Sequence, residues 1–594
     1  MDEYDLVIRN STIVDGTGKE AYKGSIGVKG DRVAAVGDVE GDSGRVIDAS
    51  GLTAVPGFID SHSHADFGIL FFPRCESFLL QGVTTFVGGQ CGISLAPLGD
   101  VMPLPGAARA YVHELEPYKY YPAKTLFPRE RVNALMEERF GWTVDWHTMG
   151  EYMKAVEEKG ISCNYAPLVG HGAVRSYVMG EDYKRHSVPE ERERMAGLIR
   201  EAMDEGCIGM SVGLDYDPDV YSSRDEIVEH VGIMNEYGAV FCPHSRRTGR
   251  RRNIAAGHRP HDKIDGLLEV LDIIRKTGVR TNIAHLFTGW YVSPEGYPDI
   301  LEEANRRATL QLIDDALAEG LDVSFDVIPP SLPMKFRGWQ YLCGIFEPWL
   351  RELGSREAFG EWLKVRDFRD EVKDAIRRGK WWSPRGIPNP NTAPRWADNI
   401  TILEHKDSKN VNRTIAEIAE EREADQFETW LDLITEDPDS KCGVSRGTDP
   451  EAPYHSIFYQ HSVSSVGLDT GVDDYKWKSD VPPWSVPGIS SYSAYVGFFD
   501  KFVNRQKVLT LEQAVYKTST LVAERHNLKG RGVIKEGGYA DILLMDLPNL
   551  KVMGTPLDTR IPPKGIEYVV VNGVPVVEKA SHTGATPGRV LRRE

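Results

Sequence analysis

The sequence predicts an α/β protein built on a (β/α)₈ TIM-like barrel, with a small β-sandwich domain formed by both termini. Three observations support this prediction. Strand-like apolar runs alternate with amphipathic stretches through the middle of the chain, ligand-type residues follow several of those runs, and short β-rich runs occupy both ends. Such alternation predicts a parallel sheet with helical crossovers, and 594 residues accommodate a barrel with insertions. A doubly wound open sheet is the alternative, but no glycine-rich phosphate motif follows an early strand.

The two ends of the chain share the pattern of an antiparallel sheet. Residues 4–55 alternate β-rich runs with glycine turns, and the run 566–577 is broken at Asn572-Gly573, a dipeptide typical of hairpin turns. Neither end is large enough to form a stable domain alone, so we expect the two ends to pair in one β-sandwich. The predicted organisation is a sandwich from 1–55 and 529–594 and a barrel from 56–528, with insertions at about 103–146 and 329–401.

Composition and charge exclude several classes of protein. Lys plus Arg number 70 against 88 for Asp plus Glu, and the net charge of -18 argues against broad binding to nucleic acids or anionic membranes. The N-terminus is acidic where a secretory signal is basic, and no run approaches the ~18 apolar residues of a membrane span. Seven scattered cysteines do not suggest a disulfide framework. We therefore expect a cytoplasmic globular protein.

Ligand-type residues follow the predicted barrel strands. The stretch 55–64 reads VPGFIDSHSH, and alternate residues of an extended strand face the same side, so His62 and His64 can share one pocket. Taken singly, the other candidates could be a buried thiol, a capping imidazole or core imidazoles. A barrel brings all strand ends to one face, however, and the combined set predicts a hydrolytic metal site with one or two ions. The set after the later strands is Cys91, His171, His244, His285 and Asp469.

Several segments resemble the amidohydrolase superfamily and, within it, the N-acyl-D-amino-acid deacylases. They occur in order along nearly the whole chain. The segment that begins at Cys91 is the most specific, because many superfamily relatives have a carboxylated lysine where this subfamily has a cysteine ligand. The similar segments are 57–64, 81–85, 91–98, 167–172, 213–214 with Tyr216, 244–246, 322–323 with 326–327, 466–469, and 530–532 through 536–537 to 540–541.

The resemblance implies a zinc enzyme that hydrolyses a non-peptide amide by attack of a metal-bound hydroxide. One tight zinc site is implied at Cys91, His244 and His285, and a second position at His62, His64 and Asp469. A thiolate with two imidazoles leaves the fourth zinc position open for catalysis. Zinc there lowers the pKa of a bound water toward ~7 and polarises a carbonyl group.

Three residues are candidates for roles in catalysis. Asp469 is the expected general base, which takes the proton of the attacking water and delivers it to the leaving amine. Tyr216 is a candidate donor to the developing oxyanion. His171 either orients the substrate or is a structural imidazole.

The expected substrate is a small amide that is bulkier and less anionic than a simple N-acetyl amino acid. The subfamily binds the substrate carboxylate with a lysine two residues after the sixth-strand histidine, where this chain has Phe287, and with an arginine that is absent from 469–493. Arg246 is a candidate replacement, since arginine forks suit carboxylates. The aromatic insertion at 329–401 either lines the pocket, acts as a lid, forms a core of its own or contacts another subunit of a homo-oligomer.

Two other functions stay open at this point. A cyclic amidase that opens hydantoin, imide or lactam rings would share the barrel and the zinc chemistry, but Cys91 in place of a lysine weighs against it. A non-catalytic scaffold with the same fold is the alternative from another class. Such scaffolds typically lack the ligands, whereas the full ligand set is present in this chain.

Overall fold

The computed structural model describes most of the chain. The described residues are 3–41, 43–103, 126–215, 217–246, 263–287, 299–329, 336–378, 395–445, 456–476, 488–555 and 557–594. In these residues, no helix is long and apolar enough to cross a membrane.

A parallel eight-stranded sheet occupies the centre of the molecule. Neighbouring strands follow chain order, and the first and last meet: the Ser61 amide lies 3.4 Å from the Val466 carbonyl, and Ser63 forms a parallel bridge with Thr470. This closure confirms the predicted barrel. Its strands are β1 (Phe58–Asp60), β2 (Val83–Gly88), β3 (Asn164–Gly170), β4 (Gly209–Gly213), β5 (Val240–His244), β6 (Thr281–Phe287), β7 (Val323–Val327) and β8 (Ser464–Val466).

Helices cross over between successive barrel strands. Local sequence fixes several of their ends: Thr148 and Glu151 form a capping box before Met149–Lys159, and Pro189 opens Pro189–Asp204 at a position where its missing N–H costs nothing. The other helices between barrel strands, outside the insertion described below, are Gly68–Phe71, Glu76–Leu79, Arg129–Phe140, His171–Met179, Arg224–Gly232, Met234–Tyr237, Lys263–Thr277, Asp299–Ala318 and Ile457–Gln460. Ser490–Phe499, Leu511–Thr518 and Thr520–Arg525 follow the last barrel strand.

Both ends of the chain join one nine-stranded sheet beside the barrel. Thr53–Pro56 pairs antiparallel with Ile542–Met545, which connects the N-terminal strands to the C-terminal ones. The two ends therefore build one β-structure, while the exact domain boundaries stay a prediction. The remaining strands are Leu6–Ile13, Tyr22–Lys29, Arg32–Gly37, Val46–Asp48, Ile566–Val571, Val574–Glu578 and Ser581–His582.

The aromatic insertion between β7 and β8 has a hydrophobic core of its own. Trp430 is fully buried there, and its ring centroid lies 5.1 Å from those of Phe346 and Trp396. Trp381 and Trp382 lie outside the described residues. In the part of the insertion that the structure describes, a three-stranded antiparallel sheet and five α-helices surround this core: strands Phe336–Tyr341, Ile400–Glu404 and Lys441–Ser445, and helices Glu347–Leu353, Arg356–Trp362, Arg366–Arg377, Ile415–Glu421 and Gln426–Glu436.

Candidate metal centre

A cysteine surrounded by imidazoles lies at the carboxyl ends of the barrel strands. The Cys91 Sγ atom is 3.3 Å from His62 Nε2, 3.4 Å from His244 Nδ1 and 3.7 Å from His285 Nε2. All four residues are buried, with no more than 3% of their surface exposed. Within the group Cys91, His244 and His285, one ligand atom from each residue lies within 4.8 Å of the others, which is close enough to hold one metal ion.

A second group shares Cys91 with the first. The Asp469 Oδ1 atom lies 3.1 Å from His64 Nε2 and 3.7 Å from His62 Nε2. His62, His64, Cys91 and Asp469 again offer ligand atoms within 4.8 Å of one another. The six residues that the sequence singled out as ligands are thus brought together, although their assignment as ligands stays a proposal.

The backbone is unusual at three of these six residues. Cys91, His285 and Asp469 have φ values of 57°, 36° and 52°, a left-handed conformation that side chains with a Cβ rarely adopt. Such conformations cost on the order of 1–3 kcal/mol each and persist only where surrounding contacts enforce them. Their concentration in one cluster indicates a functional site.

The electrostatics of the cluster suit a cation. Burial raises the pKa of the Cys91 thiol, but the neighbouring His62 and His244 imidazoles outweigh burial and hold that pKa well below its usual range. Burial likewise opposes ionisation of Asp469, yet the hydrogen bond from His64 and the other imidazoles keep its pKa far below that of a free carboxyl. Burial lowers the pKa of His64, but contacts with Asp469 and Cys91 raise it to about 9. A thiolate, a carboxylate and imidazoles are zinc donors, so the residues fit that ion.

His171 belongs to a different buried cluster. It is the first residue of His171–Met179, and its Nδ1 and Nε2 atoms lie 2.9 Å from Asp219 Oδ1 and 2.9 Å from His230 Nδ1. Glu226 also lies 3.6 Å from His171 Nε2. Both ring nitrogens therefore have partners, which favours the structural alternative, and a catalytic role for His171 stays a prediction.

The remaining candidates lie at the edge of the described structure. The Arg246 guanidinium is committed to Glu269, at 2.9 Å, and to the carbonyls of Val220 and Ser222. Phe287 ends β6, but its side chain lies outside the described residues, as does all of Tyr216. Their predicted roles remain untested.

Sequence reasoning missed the partners that hold the ligands in place. Asp215 Oδ2 lies 3.9 Å from His244 Nε2, and Asp326 lies beside His62. Their position after a barrel strand or near its end is the signal that could have found them. Nothing in the sequence, however, says which imidazole each carboxylate faces.

A closed parallel barrel whose strand ends carry this donor set defines a metal-dependent hydrolase. The amidohydrolase family matches residues 45–232 of the chain. A D-aminoacylase from Alcaligenes xylosoxydans xylosoxydans is 28% identical over 99% of this chain and 98% of its own. An N-acyl-D-glutamate deacylase from the same organism is 27% identical over 100% and 97%.

A comparison with solved structures also finds similarity to a D-aminoacylase. A D-aminoacylase structure that concerns the functional role of its binuclear metal centre superimposes with a TM-score of 0.67 at 25% identity, over 99% of this chain and 100% of the other. The chain belongs to the amidohydrolase family, and it is a hydrolase of carbon–nitrogen bonds other than peptide bonds.

Proposed function

We propose that the protein is a zinc-dependent deacylase that cleaves the amide bond of N-acyl amino acids or related N-acyl amides. The observation that carries this proposal is the buried Cys91 thiolate among three imidazoles, with the Asp469 carboxylate beside them. The full-length similarity to D-aminoacylase and to N-acyl-D-glutamate deacylase supports it.

The chain supplies the residues that such a reaction needs. Cys91, His244 and His285 would hold one zinc ion, and His62, His64 and Asp469 a second. Zinc, when bound, polarises the scissile carbonyl and makes water more acidic. Asp469 would accept the proton from the attacking water and deliver it to the leaving nitrogen, which must be protonated before it departs.

The number of ions and the compartment are further parts of the proposal. Cys91 belongs to both donor groups, so the two positions are adjacent, and the relative with a binuclear centre supports two ions. All seven cysteines are buried and unpaired, which suits the reducing cytoplasm.

We propose that the substrate amide is bulkier and less anionic than a simple N-acetyl amino acid. The resemblance implies a lysine where this chain has Phe287 and an arginine within 469–493, and residues 469–493 contain none. Arg246, the candidate replacement, already pairs with Glu269 and two carbonyls, so it is poorly placed to bind a carboxylate. Equal activity on acetylated D-amino acids and on aromatic amides would contradict this part.

The first test measures zinc per chain in the wild type and in Cys91→Ala, together with amine release from N-acyl-D-amino acids and aromatic amides. We expect zinc and activity to be lost with Cys91. Cys442→Ala is the matched control, because Cys442 is equally buried but lies in the core of the insertion. Retention of zinc in Cys91→Ala would contradict the ligand set. Ring opening of hydantoins without amine release would favour a cyclic amidase.

The role of Asp469 is tested by Asp469→Asn. We expect kcat to fall by about 10²–10⁴-fold, because the proton acceptor is removed, while zinc stays at Cys91, His244 and His285. Asp474→Asn, on the same segment, should leave kcat unchanged. If kcat is unaltered in Asp469→Asn, then Asp469 is not the general base.

A further inference from the structure

The seventh barrel strand contributes no residue to either donor group, yet it carries a fully buried carboxylate beside both of them. Asp326 lies in β7 and has no exposed surface. Its Oδ1 atom accepts a 2.8 Å hydrogen bond from the His285 backbone amide and faces His62 Nδ1 at 3.6 Å. One carboxylate oxygen thus contacts one histidine from each donor group.

The hydrogen bond between the His285 backbone amide and Asp326 occurs where the pairing of β6 and β7 is irregular. The β6–β7 pairing loses its register between Ile283 and Phe287, and His285 has a φ of 36° in this irregular segment. A bulge removes a residue from the regular ladder and re-aims its side chain. The Asp326 carboxylate satisfies the His285 amide at this bulge, so it stabilises the conformation in which that imidazole points at Cys91.

The Asp326 carboxylate also faces Nδ1 of His62, the ring nitrogen opposite the one nearest Cys91. His62 Nδ1 is buried and has no hydrogen-bond partner among the described residues, and the Asp326 carboxylate is the acidic group opposite it. A proton on Nδ1 directed at the carboxylate leaves Nε2 free to bind a cation. Nε2 is the nitrogen that faces Cys91 and Asp469.

Asp326 is itself held in place from below. Its Oδ2 atom accepts a 3.0 Å hydrogen bond from Asn282 Nδ2, and Asn282 Oδ1 accepts a 2.9 Å hydrogen bond from Ser324 Oγ. All three residues are buried. The carboxylate therefore has one orientation, with Oδ2 toward Asn282 and Oδ1 toward the two histidines.

We propose that Asp326 is a positioning residue that sets the zinc affinity of both donor groups, by fixing the His62 ring and the His285 backbone. This inference rests on the proposed zinc centre and deepens it. It assigns to the seventh strand a role that none of the ligands performs.

The test is the zinc affinity of the purified protein, measured by competition with a chromophoric chelator, with zinc per chain and the unfolding midpoint measured in parallel. Asp326→Ala should bind zinc about 10- to 100-fold more weakly. Asp541→Asn is the control: it alters a buried carboxylate in the sheet of the chain ends, so it should lower the unfolding midpoint without changing zinc affinity.

An exchange variant separates positioning from simple stability. Asp326→Asn combined with Asn282→Asp keeps a hydrogen bond between the two positions but moves the carboxylate away from His62. We expect its unfolding midpoint to return toward that of the wild type while zinc affinity stays about 10-fold lower.

Four outcomes are decisive. Wild-type zinc affinity in Asp326→Ala, or full recovery of affinity in the exchange variant, would overturn the inference. A wild type that binds no zinc would overturn both this inference and the proposed function. A wild type that binds zinc, loses affinity with Asp326 and yet hydrolyses no N-acyl amide would support the inference and refute only the proposed function.

Discussion

Gly467 illustrates how closely the side chains pack behind the metal centre. It follows β8 directly, and a Cβ atom there would lie 2.6 Å from His62 Cβ and 3.0 Å from Asp326 Oδ1. Two non-bonded carbon atoms do not approach each other to 2.6 Å, so any side chain at position 467 displaces the His62 backbone or ring. Glycine is required here for space.

Gly467→Ala should therefore lower the free energy of unfolding by about 1–3 kcal/mol, as overpacking of a dense core does, and should weaken zinc binding. Denaturant unfolding and zinc titration measure the two effects. Gly197→Ala is the control, because no described atom outside its own helix lies within 4 Å of that Cβ position. It should be neutral or stabilising by up to ~1 kcal/mol. Wild-type zinc affinity in Gly467→Ala would contradict the packing argument.

At the residue scale, the sequence predicts the candidate metal ligands better than it predicts the residues that hold those ligands in position. His62, His64 and Cys91 stand out because few other residue types bind zinc, and their positions after apolar runs place them at strand ends. Asp326 lies near a strand end, but the sequence does not show that it faces His62, and Gly467 is not a ligand type. Their roles depend on distances to His62 across more than 260 positions of the chain, and those distances exist only once the barrel has closed.

At the scale of elements, a buried imidazole pair joins the helix His171–Met179 to Arg224–Gly232. His230 Nε2 lies 3.0 Å from the Arg192 carbonyl, which only accepts hydrogen bonds, so Nε2 carries the proton. His230 Nδ1 then faces His171 Nε2 at 2.9 Å, and His171 Nδ1 lies 2.9 Å from Asp219 Oδ1. Burial and the charge of His171 lower the pKa of His230 to about 3, despite the neighbouring Glu226.

This pair predicts an acid-sensitive fold. Below pH ~6.5 the histidine binds a proton in the unfolded state, whereas in the folded state His230 stays neutral down to about pH 3. The free energy of unfolding therefore declines as the pH falls from ~6.5 to about 3. The loss is on the order of 1.4 kcal/mol per pH unit at full slope. Urea midpoints at pH 7, 6 and 5 should fall less steeply in His230→Gln than in the wild type. Equal slopes would show that His230 does not control this loss.

The insertion shows why elements are harder to predict than ligand residues. Aromatic residues at 329–401 suit a pocket wall, a lid, an interface or a separate core equally well, and composition alone does not distinguish these uses. The structure has the separate core, with Trp430 fully buried. Its sheet also includes Lys441–Ser445, which pairs with Ile400–Glu404 from nearly 40 residues earlier. A pairing across such a distance leaves no local signal.

At the scale of the whole molecule, a buried polar network fastens the sheet of the chain ends to the barrel. Arg531 pairs with Asp541 and donates a 3.0 Å hydrogen bond to Asn572. Asn572 in turn donates to Asn164, the first residue of β3, at 2.8 Å. The β-rich runs at both ends predict that the ends pair. They do not predict where the resulting sheet contacts the barrel, because that contact depends on single polar residues.

Arg531→Met tests whether this network holds the two parts together. It leaves the Asp541 carboxylate buried without its cation, which should cost about 3–5 kcal/mol of unfolding free energy. Arg531→Met combined with Asp541→Asn removes both charges and should recover much of that loss, since the remaining amide still accepts from the Asn572 backbone. Denaturant unfolding of both variants, with zinc content as a second readout, measures the effect. Zinc should be retained in both, because the network lies at the start of β3 and the metal centre at the strand ends. A double variant no more stable than Arg531→Met would show that the pair stabilises through packing and not through charge.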